Sequence, residues 1–167
     1  MQERKCLYAG TFDPWTRGHE DVLQTARGLF DHVVVLLAQN SAKGMSMFSV
    51  EERVDMLERY LSGYDGISFL SESRMLTCDV ADRERCDWLV RGVRWPSEYE
   101  DELKLCFANV VVRPRIETIF IPPRKMNIDV SSTMVRELIA FGEMERVRDL
   151  VPRSIYDSIV ELRSCGE

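Results

Sequence analysis

The chain has 167 residues, 45% of them apolar and 30% charged, with 22 Lys and Arg against 28 Asp and Glu for a net charge of −6. That balance describes a water-soluble globular chain long enough for one domain with a true core. It argues against nucleic acid as partner, since neutralising a run of phosphates needs a basic surface. It also excludes a membrane span, the longest strongly apolar run being Val33 to Ala38. The charged start from Met1 to Lys5 predicts no secretory leader. Cys6, Cys78, Cys86, Cys106 and Cys165 are odd in number and never spaced Cys-x-x-Cys, which predicts free thiols in a reducing cytoplasm.

Taken in order, residues 4 to 9 form a short first strand. Gly10, Pro14 and Gly18 then turn the chain, and Val22, Leu23, Ala26, Leu29 and Phe30 recur with helical spacing over about 18 to 30. Residues 33 to 38 are apolar throughout, as in a parallel strand covered on both faces. A polar loop from Gln39 to Met47 carries Lys43. Ser49 and Glu52 have capping-box spacing, and Val50, Val54, Leu57 and Leu61 give the following helix an inner face. A third strand spans 67 to 70, a loop 71 to 76, and a short charged helix 78 to 85.

Trp88 to Val90 make a fourth strand that runs into Arg91-Gly92-Val93-Arg94. Ser97-x-x-Glu100 predicts a second capping box, opening a helix to about 112 with Tyr99, Leu103, Phe107 and Val110 or Val111 turned inward. Thr118 to Ile121 make a fifth strand. Ser131-Ser132-Thr133 open a helix through Met134, Val135, Leu138 and Ile139, and two closing helices follow from about 144. The alternation predicts a single α/β domain over 1–167, doubly wound, with a five-stranded mostly parallel sheet of Rossmann-like type.

In such sheets a ligand sits beyond the carboxyl ends of the strands. Gly10 to His19, Lys43, Arg91 to Arg94 and Ser131 to Thr133 all follow predicted strands, so they point to one shared site. The helix start near His19 favours an anion, and an imidazole there can donate to a phosphate oxygen. Arg91 and Arg94, with no acidic residue before Glu98, call for an anion between them. Ser131 to Thr133 offer three hydroxyls and successive amides, a cradle for polyphosphate. His32, in a helix-to-strand turn, reads as structural, and Asp13 and Pro14 as residues that shape the turn.

Thr16-x-Gly18-His19 after Gly10-Thr11-Phe12-Asp13-Pro14 resembles the first signature of the nucleotidyltransferase superfamily, and Val130 to Arg136 resembles its second. Phe48 to Val54, Val90 to Arg94 and Glu117 to Ile121 make the chain most similar to the bacterial phosphopantetheine adenylyltransferases. That resemblance implies transfer of the adenylyl group of ATP to 4'-phosphopantetheine, giving dephospho-coenzyme A and pyrophosphate. It implies Mg²⁺ carried mainly on the ATP phosphates, a homohexamer, and coenzyme A as feedback inhibitor. By the same resemblance His19, Lys43, Arg94 and Thr11 are catalytic. ATP would meet Thr11, Phe12, His19, Gly92, Val93, Arg94, Glu102 and the run Asn127, Ile128, Asp129, Val130, Ser131, Ser132 and Thr133. The acceptor would meet Thr11, Lys43, Thr77 and Arg91. Asn127 and Asp129 stand where the family has aromatics. The rival readings are a cytidylyltransferase for an alcohol phosphate, a nucleotide-binding module without turnover, and, more distantly, a short relative of class I tRNA synthetases.

Overall fold

The computed structural model describes residues 3–38 and 46–165. Lys43 therefore lies outside the described residues.

Five strands, β1 (Lys5–Gly10), β2 (His32–Ala38), β3 (Ile67–Glu72), β4 (Trp88–Gly92) and β5 (Glu117–Ile121), form one sheet in the order β3-β2-β1-β4-β5. Every pairing is parallel. The helices between them are α1 (Arg17–Leu29), α2 (Val50–Leu61), α3 (Thr77–Arg83) and α4 (Pro96–Val112). After β5 come a 3-10 turn (Lys125–Asn127) and α5 (Ser132–Ala140), α6 (Met144–Leu150) and α7 (Arg153–Cys165).

β2 shows why the sheet is enclosed. Val33 to Leu37 are all buried, and in a strand they alternate between two faces, so both faces must be covered. On one side Tyr8, Val33, Val35, Leu37 and Val90 pack against Leu23 of α1, Leu57 of α2, Val135 of α5, Val147 of α6 and Ile155 of α7. On the other, Leu7, Ala9, Val34, Leu36 and Leu89 meet Cys78, Val80 and Ala81 of α3 and Ile116. A fully buried Leu or Ile of this kind contributes about 1.5–3 kcal/mol.

The order of strands reverses at β1, which has β2 on one side and β4 on the other. Because all strands are parallel, the segments after β1, β3, β4 and β5 leave from one edge of the sheet. The crevice at the reversal is where such folds bind ligands.

Two expectations about α4 are overturned. The helix opens at Pro96 with Trp95 as its cap and no side-chain cap bond, so the Ser97 capping box does not form. Pro at the first helical position needs no N–H partner and fixes φ, which starts the helix one residue before Ser97. Nor does α4 turn a stripe inward: it has no buried residue, with Phe107 63% and Val111 83% exposed. It lies against the edge strand β5, where one flank of the helix has no further strand to cover.

Candidate active site

The turn after β1 is built from the backbone outward. A Cβ on Gly10 would come 2.5 Å from Cε1 of Phe12, so only glycine leaves room for that ring. Phe12 has φ of 41°, a conformation that non-glycine residues seldom take. Its ring meets His19 edge-on at 5.1 Å and Trp15 at 4.7 Å. From beneath, Arg53 of α2, only 5% exposed, donates Nη1 to the Thr11 carbonyl at 2.8 Å. Arg136 of α5 donates Nη1 to the Asp13 carbonyl. The Asp13 carboxylate accepts the amides of Met47 and Phe48, each at 3.0 Å.

Thr16 caps α1, and the third helical residue, His19, completes a capping box in the place usually held by Glu or Gln. The Thr16 amide donates to Nδ1 of His19 at 3.0 Å. A nitrogen that accepts carries no proton, so the neutral ring holds its proton on Nε2. Burial, then Arg94, then Arg91 lower the His19 pKa to about 3. The imidazole is thus uncharged at neutral pH and presents one N–H. Arg91 reaches the Ala9 carbonyl of β1, and Arg94 the Val130 carbonyl that lies against Gly18, so the β1 and β4 segments share a crevice.

Arg91 near the end of β4 and Arg94 just beyond it each already have a carboxylate. Arg91 reaches Glu102 with Nε at 2.6 Å and Nη2 at 2.7 Å, and gives Nη1 to the Ala9 carbonyl at 2.8 Å. Arg94 donates its backbone N–H and Nε to Glu98 at 3.0 and 3.2 Å, and Nη1 to the Val130 carbonyl at 3.1 Å. The sequence calls for an anion between this pair; α4 supplies two carboxylates, Glu98 and Glu102, three and seven residues into the helix. Burial raises the Glu98 pKa, but the bonds and charge of Arg94 pull harder and leave it below the usual range.

The cytidylyltransferase-like family matches residues 7–138. The phosphopantetheine adenylyltransferase of Methylobacillus flagellatus is 41% identical over 83% of this chain and 85% of its own. That of Nitrosospira multiformis is 39% identical over 83% and 82%. The chain belongs to the phosphopantetheine adenylyltransferases. Among solved structures, Thermotoga maritima TmcAL bound with alpha-thio ATP superposes with a TM-score of 0.71 over 99% of this chain at 14% identity. The chain spans 57% of that structure's length, and the likeness is one of fold.

Within this adenylyltransferase framework, Thr11, Phe12, His19, Arg91 and Arg94 come together at the strand-order reversal. Gly92 ends β4, where a Cβ would lie 3.1 Å from Cγ2 of Val22, and Val93 follows, its amide bonded to the Ile121 carbonyl. Val130 joins the group through Arg94, and Glu102 through Arg91. Thr77 opens α3, which packs on β1 and β4 from the face of the sheet opposite α1. Ile128 is half-buried and Asp129 exposed.

The three hydroxyls expected to form a phosphate cradle are all engaged within the protein. Ser131 Oγ accepts the Met134 amide, Ser132 Oγ donates to the Pro14 carbonyl, and Thr133 Oγ1 accepts from Arg136. Ser131 and Thr133 only accept, so their O–H protons remain for an anion, together with the first-turn amides of α5 at Ser132 and Thr133, which no helix satisfies internally. Asn127 likewise gives its side-chain nitrogen to Asp21.

Asp21, Arg53 and Glu98 were not legible as site residues. The signal for Asp21 was present: Gly18, Asp21 and Val22 stand at i, i+3 and i+4 on one helical face, so a carboxylate falls on the buried side. Among the described residues, no group of three or more His, Cys, Asp or Glu could hold a metal ion, and no helix is long and apolar enough to cross a membrane. The described thiols Cys6, Cys78, Cys86 and Cys106 are free.

Proposed function

We propose that residues 1–167 work as one domain that transfers the adenylyl group of ATP to 4'-phosphopantetheine. A phosphate oxygen of the acceptor bonds to the α-phosphorus, the α–β bridging bond breaks, and its electron pair leaves with pyrophosphate. No covalent intermediate on the protein is needed, so catalysis is alignment and charge stabilisation. The observation that carries this reading is His19 at the strand-order reversal it shares with Arg91 and Arg94, its Nδ1 held by the Thr16 amide so that Nε2–H is the free donor. Its Nε2–H donates to the α-phosphate as negative charge builds there.

Thr11, Phe12 and the first-turn amides of Ser132 and Thr133 hold the phosphates, Gly92 to Arg94 and residues 127–130 flank the nucleoside, and Glu102 orients Arg91 toward the acceptor phosphate. Lys43 moves with the charge between the two substrates, and Thr77 meets the pantetheine arm. Mg²⁺ comes with the triphosphate. The enzyme is cytoplasmic, a homohexamer, and inhibited by coenzyme A. The exposed apolar side chains of α4, Leu105, Phe107 and Val111, support assembly of copies.

Purified protein with ATP, Mg²⁺ and 4'-phosphopantetheine should yield a product with the mass of dephospho-coenzyme A. Pyrophosphate release only with CTP would make it a cytidylyltransferase, and ATP binding without release from any acceptor would make it a binding module.

A further inference from the structure

The segment from Arg124 to Val130 holds one 3-10 turn and little else, yet it is fastened to α1. Asp21 is 7% exposed and lies on the same helix as His19, two residues further on. Its Oδ2 accepts the backbone N–H of Arg124 at 3.0 Å and Nδ2 of Asn127 at 2.7 Å. Among the described residues, only the exposed Arg124 side chain approaches its other oxygen, at 3.8 Å. Gly18, one turn earlier, lets the segment lie close: a Cβ there would meet the Val130 carbonyl at 3.1 Å and the Asn127 carbonyl at 3.6 Å. Across the crevice, Arg94 holds the same Val130 carbonyl.

Burying a carboxylate is unfavourable unless hydrogen bonds replace its water. Here the replacements come from a loop more than a hundred residues away in the chain. We propose that Asp21 is the positioning residue for the nucleotide loop: fixed on the helix that carries His19, it sets the distance between the imidazole and residues 127–130. It thereby governs ATP affinity without touching ATP. Asn127 acts through this tie, its side-chain nitrogen being committed to Asp21. The proposal rests on the adenylyl-transfer reading above.

The test compares Asp21→Leu, Asp21→Asn, Asn127→Ala and the Leu/Ala double variant by pyrophosphate release, with ATP binding measured by calorimetry. Asp21→Leu should raise KM for ATP by about tenfold or more, with kcat and the acceptor's KM changed by less than about threefold. Asp21→Asn keeps an oxygen for both donors and should restore most of the affinity. Asn127→Ala should raise KM by about threefold, and the double variant should be no worse than Asp21→Leu, because both remove one tie. An unchanged KM for ATP, a loss confined to kcat, or additive effects would overturn the proposal. If Asp21→Leu does not fold, Asn127→Ala decides alone, and an unchanged ATP affinity in it rejects the tie. Absence of turnover in the parent would reject adenylyl transfer instead, and calorimetry of ATP would still judge Asp21.

Discussion

The turn after β1 and the turn after β4 meet at the same break in strand order, but they are held in opposite ways. The first is anchored on every side: Arg53 and Arg136 grip its carbonyls, Phe12 fills the space above Gly10, and His19 is locked by the Thr16 amide. The second is held by ion pairs to α4, a helix with no buried residue. Backbone bonds and packed rings have no alternative partner, whereas a guanidinium can exchange a carboxylate for a phosphate of like charge and geometry. The contrast separates a preset donor from adjustable cations.

The largest effect should come from the preset half. His19→Ala should lower kcat by about 100-fold or more while ATP affinity stays nearly constant. Steady-state rates and an ATP titration check this, and equal activity in variant and parent would remove His19 from the chemistry. A second effect is on stability. His19 stays neutral in the fold down to about 3 but takes a proton near 6.5 when unfolded. Between those values the unfolded chain binds the extra proton, so stability is lost as pH falls from about 6.5 toward 3. Thermal melts at stepped pH should show this slope, and His19→Gln should flatten it. The smallest effect belongs to the adjustable half. Glu98→Gln removes a charge that competes for Arg94, so KM for ATP at low salt should fall by about two- to threefold. A rise would mean that Glu98 is as fixed a part of the site as Thr16, and the contrast would collapse.

The convergence of distant loops was legible because it follows from parallel alternation, and alternation is written in the apolar run of β2 and the capping residue Ser49. The departures have local causes. Apolar residues at helical spacing mark a face, but nothing in the spacing of Phe107 and Val111 says whether a neighbour covers it. Ser, Ser and Thr in succession read as three free hydroxyls, whereas the Ser132 proton is already committed to the Pro14 carbonyl. Helical spacing turns Asp21 inward, but its partner Asn127 lies 106 residues away, which no local pattern records.

The bond from the Thr16 amide to the imidazole also bears on kinetics. A ring that keeps one fixed proton throughout the neutral range cannot shape a velocity curve there. A phosphate monoester gives up its second proton at about pH 6, and the dianion is the stronger nucleophile. The acid limb of the curve therefore reports ionisation of the acceptor molecule, and an acceptor with a more acidic phosphate would carry that limb to lower pH.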